Sequence, residues 1–207
     1  GGVVSGQAML VQPVLVARGA HGIVDVDFTE LVTLSAVAQG GLRNSTVSAV
    51  AGVAAFVDLA YLASADGASF ALVADDQPGG VEGNLPPVSS GVITSDVVAS
   101  QLVFSIQPAG SVSGSVLGTV PVVEAHNAEG ILDVDFSETL TITSGGAGTV
   151  ENGSTQPTRG VATFSGLIYN AVADHEPMTL LVDDQPGGPE GDLPQGTSQS
   201  SQSEVLA

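Results

Sequence analysis

The sequence has no cysteine, no tryptophan and no lysine, and its arginines are Arg18, Arg43 and Arg159. Because cysteine is absent, disulfides and thiolate metal sites are excluded as sources of stability. The sequence has 22 acidic residues and only those three arginines, so its formal net charge is −19. A field of that sign repels phosphate groups, which argues against nucleic acid and anionic membrane surfaces as partners and favours cations. The same acids would also keep a salt-exposed surface soluble.

Long apolar runs and sustained helical periodicity are also missing. No run approaches the roughly 20 residues that a membrane-spanning helix needs. The first residues lack the basic region with which a signal peptide begins. Direct membrane insertion of this fragment is therefore not expected, and any export signal or anchor is expected to lie outside it.

The chain is an internal duplication. Residues 1–99 align with residues 109–207 at a constant offset of 108, without insertion or deletion, and 42 of the 99 pairs are identical. A period of domain size is typical of tandem modules rather than of a single enzyme fold. The duplication predicts two domains, residues 1–99 and residues 100–207.

The pattern within each copy predicts strands. Short stretches of strand formers are separated by Gly, Pro and Asn turn signals. In the second copy the predicted strands are residues 102–106, 120–125, 131–136, 138–143, 160–169 and 178–182, and in the first copy 13–17, 23–28, 30–35, 52–61 and 70–74. This spacing predicts an all-β fold of two tandem antiparallel β-sandwiches. The acidic stretches 75–99 and 183–207 are predicted to be linkers.

The few aromatic residues recur at matching positions. Phe28, Phe56 and Tyr61 return as Phe136, Phe164 and Tyr169, whereas Met178 replaces Phe70. Aromatic residues that keep their places while their neighbours change are predicted to pack in the core.

Several runs resemble a known family. They are Leu-Val-Phe-Ser-Ile at 102–106, Pro-Val-Val-Glu-Ala at 121–125, Asp-Val-Asp-Phe at 133–136, Thr-Leu-Thr-Ile at 139–142 and Gly-Val-Ala-Thr-Phe at 160–164. Together they resemble the bacterial Ig-like tandem repeats of long extracellular surface proteins and adhesins. The resemblance implies Ig-like sandwiches outside the cell or on its surface, acting as structural or adhesive spacer units in a fibre or array, without catalysis. The expected partners are neighbouring repeats of the same protein or identical subunits.

Residues 100–108 have no counterpart in the first copy. The first module is therefore predicted to lack its N-terminal strand, which would leave an unpaired sheet edge. An alternative function follows: a filament subunit that self-assembles by strand exchange, with residues 101–107 as the donated strand. The simpler interpretation is that residues 101–107 open the second module.

Acidic residues retained in both copies are the candidate metal ligands. They are Asp25, Asp27, Glu30, Asp75, Asp76 and Glu82, matched by Asp133, Asp135, Glu138, Asp183, Asp184 and Glu190, while Asn84 is matched by Asp192. Alternation on a strand would place Asp25 and Asp27 on one face, and the later acids would form a second cluster. Calcium takes six to eight oxygen ligands and suits both clusters. Solvated turn residues that discourage edge pairing are the alternative.

Other chemistry has less support. His21, His126 and His175 do not align between the copies, and the sequence contains no Walker loop or HExxH pattern, so no enzymatic activity is expected. Asn44 and Asn152 stand at matching positions of N-x-S/T patterns and are candidate glycosylation sites.

Overall fold

The structure is a computed structural model that describes residues 2–76, 78 and 80–206. Every regular element among these residues is a β-strand, which confirms the all-β prediction. The chain divides into two compact units, residues 1–97 and residues 98–207, two residues before the boundary expected from the duplication.

The first unit is built mainly on one large sheet. Its strands are β1 (Val3–Val4), β2 (Val14–Val16), β3 (Leu31–Val37), β4 (Gly40–Arg43), β5 (Thr46–Ser48), β6 (Val53–Ala55), β7 (Ala60–Ala63), β8 (Ser69–Asp76), β9 (Val88–Ser89) and β10 (Ile93–Asp96). The large sheet has the order β1-β10-β8-β3-β5, with β9 also paired to β8. Two further antiparallel pairs, β2 with β6 and β4 with β7, complete the unit. Only β1 and β10 pair in parallel among its described strands.

The second unit repeats this arrangement. Its strands are β11 (Gln101–Ile106), β12 (Ser111–Val112), β13 (Val122–His126), β14 (Leu140–Ser144), β15 (Thr149–Glu151), β16 (Ser154–Thr155), β17 (Val161–Thr163), β18 (Ile168–Asn170), β19 (Glu176–Met178), β20 (Leu180–Asp183), β21 (Gly196–Thr197) and β22 (Ser201–Glu204). The sheets have the orders β11-β13-β17, β16-β14-β20-β21 and β12-β22-β19, with β15 paired to β18. Strand β11 is the element without a counterpart in the first unit.

Each unit is an immunoglobulin-like β-sandwich whose core lies between its sheets. In the second unit Phe104 and Val123 of one sheet share a buried cluster with Ile142 and Leu180 of the facing sheet. The recurring aromatics are all buried, which confirms their predicted place in the core. In the first unit the rings of Tyr61 and Phe70 stack with centroids 3.8 Å apart.

The predicted strands 23–28 and 131–136 are wrong. Both segments are turns with a single isolated bridge, between Arg18 and Val24 in the first unit and between His126 and Leu132 in the second. The reason is a side-chain hydrogen bond: the first aspartate of each Asp-Val-Asp run accepts the backbone N–H two residues later, which closes a turn instead of extending a strand.

The prediction that residues 75–99 and 183–207 are linkers is also wrong, because both stretches contain strands of their units. The stretch 75–99 contains β9 and β10, and the stretch 183–207 contains β21 and β22. The buried positions of β10 and β22 are occupied by Ser95 and Ser203, so the alternation of burial along these two strands is not matched by apolar residues in the sequence. Ser203, which is fully buried, hydrogen-bonds the Ser111 hydroxyl at 2.9 Å. Serine satisfied in this way serves as a core residue.

Among the described residues no helix is long and apolar enough to cross a membrane.

Candidate cation-binding loops

The second unit gathers its acidic loop residues at the end of β20. Asp184 is buried, and its two carboxylate oxygens accept the Leu193 N–H at 3.1 and 3.3 Å. These bonds close the loop between β20 and β21. Carboxylate oxygens of Asp183, Asp184 and Asp192 lie within 4.8 Å of one another. Three oxygens at that spacing are within the reach of one calcium ion.

The carboxylate of Glu138, in the segment just before β14, acts electrostatically on Asp184. Thr141 pairs with Asp183, so the residues just before β14 lie opposite the loop that follows β20. Glu138 is only 9% exposed; its Oε1 accepts the Glu190 N–H at 2.9 Å, whereas its Oε2 is buried and has no hydrogen-bond partner among the described residues. A buried carboxylate oxygen without a partner is costly, and a bound ion would satisfy it.

Gly188 allows the loop after β20 to lie close to the Glu138 carboxylate. A Cβ placed on Gly188 would collide with the Glu138 carboxylate. The glycine therefore allows the loop backbone to lie directly against Glu138. We call the group formed by Glu138, Asp183, Asp184, Gly188 and Asp192 the acid cradle.

The carboxylates of the cradle disfavour ionisation of Asp184. Burial raises the pKa of Asp184 above its ordinary value, and the nearby carboxylates of Glu138 and Asp192 raise it further. The backbone hydrogen bond from Leu193 opposes this shift. A divalent cation would reverse the repulsion and hold the carboxylates ionised.

The first unit repeats these contacts among its described loop residues. Asp76 accepts the Leu85 N–H through both oxygens, and Glu30 accepts the Glu82 N–H at 3.0 Å. The Oε2 of Glu30 is again buried without a partner among the described residues, and Gly80 lies against the Glu30 carboxylate as Gly188 does against Glu138. The difference is Asn84, a neutral residue at the position of Asp192. Glu82 and Glu190 enter the hydrogen bonds through their backbone rather than their carboxylates.

The structure therefore regroups the predicted ligands. Glu30 and Glu138, which follow the Asp-Val-Asp runs in the sequence, lie at the loop acids. Asp25, Asp27, Asp133 and Asp135 belong to the turns described above, so the prediction that Asp25 and Asp27 share a strand face is wrong.

Asp133 is the most perturbed of these turn residues. It is fully buried and accepts N–H groups from Ala99 at 2.8 Å and Phe136 at 2.9 Å. Burial raises its pKa to about 7, and contact with the Asp135 carboxylate adds to the shift, while the two backbone bonds oppose it. Its position indicates a structural turn rather than an exposed acid pair.

A buried acid in the second unit escaped prediction because it is not duplicated. Glu176 accepts the Tyr169 hydroxyl at 2.6 Å and the Gly148 and Val172 N–H groups. This bonding to Tyr169 is the main cause that lowers the Glu176 pKa. The first unit has Ala68 there, and its Tyr61 hydroxyl donates to the Gln39 carbonyl instead. The sequence offered one signal for this contact: Tyr169 is retained in both copies, whereas Glu176, seven residues later, has no acidic counterpart in the first.

A second acidic group lies at the surface of the second unit. Asp174, His175 and Glu204 can bring their ligand atoms within 4.8 Å of one another. His175 Nδ1 lies 2.9 Å from Glu204 Oε1, and Asp174 accepts the Val205 N–H at 2.8 Å. The matching residue in the first unit, Asp66, makes the corresponding bond to Val97. These aspartates close the same turn in both units.

The candidate glycosylation residues also have matching geometry. Asn44 and Asn152 are exposed and adopt left-handed backbone angles, φ 56° and 55°. Each donates its side-chain amide to a backbone carbonyl, Asp58 at 2.9 Å and Gly166 at 3.1 Å. Asparagine tolerates this conformation better than most residues. The repeated bond gives each asparagine a role in its turn.

The chain is weakly similar to several solved structures. The chain is similar to the FN1-FN3 domains of chicken CNTN1, with 10% identity and a TM-score of 0.45, covering 99% of this chain and 66% of that one. It is similar to domains 4 and 5 of the S-layer protein SbsC, with 12% identity and a TM-score of 0.37 over 97% and 82% of the chains. A glycosyl hydrolase family 2 member from Bacteroides cellulosilyticus has 14% identity and a TM-score of 0.38 over 85% of this chain and 22% of its own.

The sequence matches no protein-family model and no curated protein. At TM-scores below 0.5 the structural likenesses do not bear on function. The class that the chain's own fold and loops define is a duplicated immunoglobulin-like sandwich with an acidic loop at the same place in each unit.

Proposed function

We propose that both units are structural modules of an extracellular surface protein or fibre, acting as stiff spacers that calcium rigidifies at the acidic loops. The observation that carries the proposal is the buried Glu138 oxygen without a hydrogen-bond partner beside Asp184, repeated in the first unit at Glu30 and Asp76. A loop that repeats its unsatisfied carboxylate in both modules is better explained by a ligand than by chance.

Calcium is the favoured ion because of the kind and number of ligands. The second unit offers only oxygen donors, from Glu138, Asp183, Asp184 and Asp192, and loop carbonyls and water can complete a shell of six to eight. The binding of a cation would tie the segment before β14 to the loop between β20 and β21. That loop would otherwise be held mainly by the bonds to Asp184 and Glu138.

The experiment is thermal unfolding of the whole chain in calcium and in chelator, with amide NMR signals assigning the transition of each unit. Calcium binds the folded state, and at a concentration a hundredfold above Kd it should add about 2.7 kcal/mol. For a unit of this size that corresponds to a rise in the unfolding midpoint on the order of 10 °C. The first unit should gain less, because neutral Asn84 replaces Asp192.

Two glutamate variants of the second unit make a matched pair. Glu138→Gln keeps an acceptor for the Glu190 N–H but removes the cradle charge, and it should abolish most of the calcium-dependent rise. Glu151→Gln removes the same charge where the side chain accepts from Asn170, outside the cradle, and should leave the rise intact. Equal midpoints in calcium and chelator for the unaltered chain would contradict the calcium part of the proposal.

A further inference from the structure

Asn44 stands beside a surface hollow of the first unit. The hollow has a volume of about 340 Å³, and Asn44, Thr46, Phe56, Val57 and Asp58 are among the residues that line it. Asn44 and Thr46 are the first and last residues of an N-x-T acceptor pattern for N-linked glycans, and both are exposed. The acceptor asparagine and the hydroxyl residue of the pattern therefore lie on one accessible hollow.

The hydrogen bond that Asn44 makes is compatible with a glycan. Its Nδ2 donates to the Asp58 carbonyl at 2.9 Å. The amide nitrogen carries two hydrogens. N-glycosylation replaces one of them, so the other can keep the bond to Asp58. Because this bond holds the amide at Asp58, a sugar on Nδ2 begins next to the neighbouring residue, Val57.

The wall of the hollow offers an apolar surface to such a sugar. The Val57 side chain is 71% exposed, and the partly buried Val47 and the buried Phe56 line the same hollow. A hexose ring has an apolar face of C–H groups, and covering an exposed valine with that face removes apolar area from water. An apolar wall beside an acceptor asparagine therefore fits the first N-acetylhexosamine of an N-linked glycan.

The second unit keeps the acceptor pattern but has a polar wall. Its pattern begins at Asn152, which makes the corresponding bond to the Gly166 carbonyl. The two valines of the wall are replaced there by Thr155 and Ser165. The turn bond accounts for an asparagine in both units. It does not account for an exposed valine beside that asparagine in the first unit only.

We propose that Asn44 carries an N-linked glycan whose first N-acetylhexosamine packs in the hollow against Val57. In the transfer, a bond forms between Asn44 Nδ2 and C1 of the sugar. The bond from C1 to the phosphate oxygen of a lipid-linked diphosphate donor breaks, and the Nδ2 proton leaves with the diphosphate. The inference rests on the proposed extracellular location, because such glycans are added to exported chains.

The test secretes the whole chain from a eukaryotic host that transfers glycans to N-x-S/T patterns, so that the route of export is imposed. Ser154→Ala removes the pattern of the second unit and keeps Asn152, and Thr46→Ala removes that of the first unit and keeps Asn44. The intact mass of Ser154→Ala should include one glycan, and that of the double variant should include none. A Ser154→Ala chain without a glycan would overturn the proposal.

A second readout locates the first sugar. Thermal unfolding is followed by hydrogen-exchange mass spectrometry, which separates the two units, and the same chain from a bacterial host without N-glycosylation is the reference. With Asn44 glycosylated, the midpoint of the first unit should rise on the order of 5 °C, the shift expected when one valine side chain is covered in a domain of this size. Enzymatic trimming of the glycan to its first sugar should preserve the rise.

Val57→Ser gives the hollow the residue that the second unit has. It should leave the mass of the glycan unchanged and remove the rise in midpoint, and a glycan on Asn152 should leave the midpoint of the second unit unchanged. An equal rise in Val57→Ser would contradict the packing of the sugar on Val57. The calcium-dependent rise is measured on the unglycosylated chain, so the failure of one proposal is distinguishable from the failure of the other.

Discussion

At the scale of single residues, the buried Asp133 of the second unit should make the free energy of unfolding depend on pH. Burial and the Asp135 carboxylate raise its pKa to about 7, far above the roughly 3.9 of an exposed aspartate. The folded state therefore holds a proton that the unfolded chain has released. The resulting stability is fully present below about pH 4 and is lost as the pH rises to about 7.

We expect the Asp133 carboxyl to titrate near pH 7 in the folded chain, as followed by the carbon NMR signal of its side chain. Asp133→Asn cannot titrate and should remove the part of the stability loss that falls between pH 4 and 7. The matched control is Asp25→Asn in the first unit, where the aspartate is partly exposed. A titration of Asp133 near pH 4 would contradict the expectation.

Retention at an offset of 108 residues selected the acids of the loops and the acids of the turns together, and it did not separate their roles. Glu138 and Asp133 are both retained, although one faces the loop and the other closes a turn. Both positions constrain the residue type equally, so the sequence alone could not distinguish them. Retention also missed Glu176. In the first unit Ala68 stands at this position, and the Tyr61 hydroxyl donates to the Gln39 carbonyl instead of to a glutamate.

At the scale of elements, strands with an apolar pattern could be predicted and strands with a polar pattern could not. Residues 102–106 were predicted as a strand because leucine and phenylalanine alternate, and β11 spans Gln101–Ile106. Strand β22 was missed because its buried Ser203 gives no hydrophobic signal. Its place becomes visible only when hydrogen-bond partners across the sheet are known, and these depend on tertiary structure.

The loop between β20 and β21 gives a prediction at this same scale. Gly188→Ala should push the loop away from Glu138, since the new Cβ would collide with that carboxylate. We expect a loss of about 1 kcal/mol or more in the free energy of unfolding and weaker calcium binding. Gly118→Ala is the control, because a Cβ there meets no atom within 4 Å. Denaturant unfolding and calcium titration calorimetry measure the two effects, and equal behaviour of the two variants would contradict the cradle geometry.

At the scale of the whole molecule, the dominant property is the net charge of −19. Carboxylates repel one another more strongly in the folded chain than in the expanded one. Salt screens this repulsion, since the Debye length falls from about 30 Å at 0.01 M to about 3 Å at 1 M. Sodium chloride should therefore raise the unfolding midpoints of both units, even in chelator.

Calcium should raise the unfolding midpoint by more than charge screening alone. A comparison with magnesium separates specific binding from screening. Both ions carry the same charge and screen alike, but magnesium demands a near-ideal octahedral shell and gives up water reluctantly. At equal concentrations in 0.5 M sodium chloride, calcium should raise the midpoint of the second unit well above the value in magnesium. The difference should disappear in Glu138→Gln, because that variant changes the net charge by only one unit of 19 while removing a ligand. If magnesium matched calcium in the unaltered chain, the effect would belong to the overall charge and not to the loops.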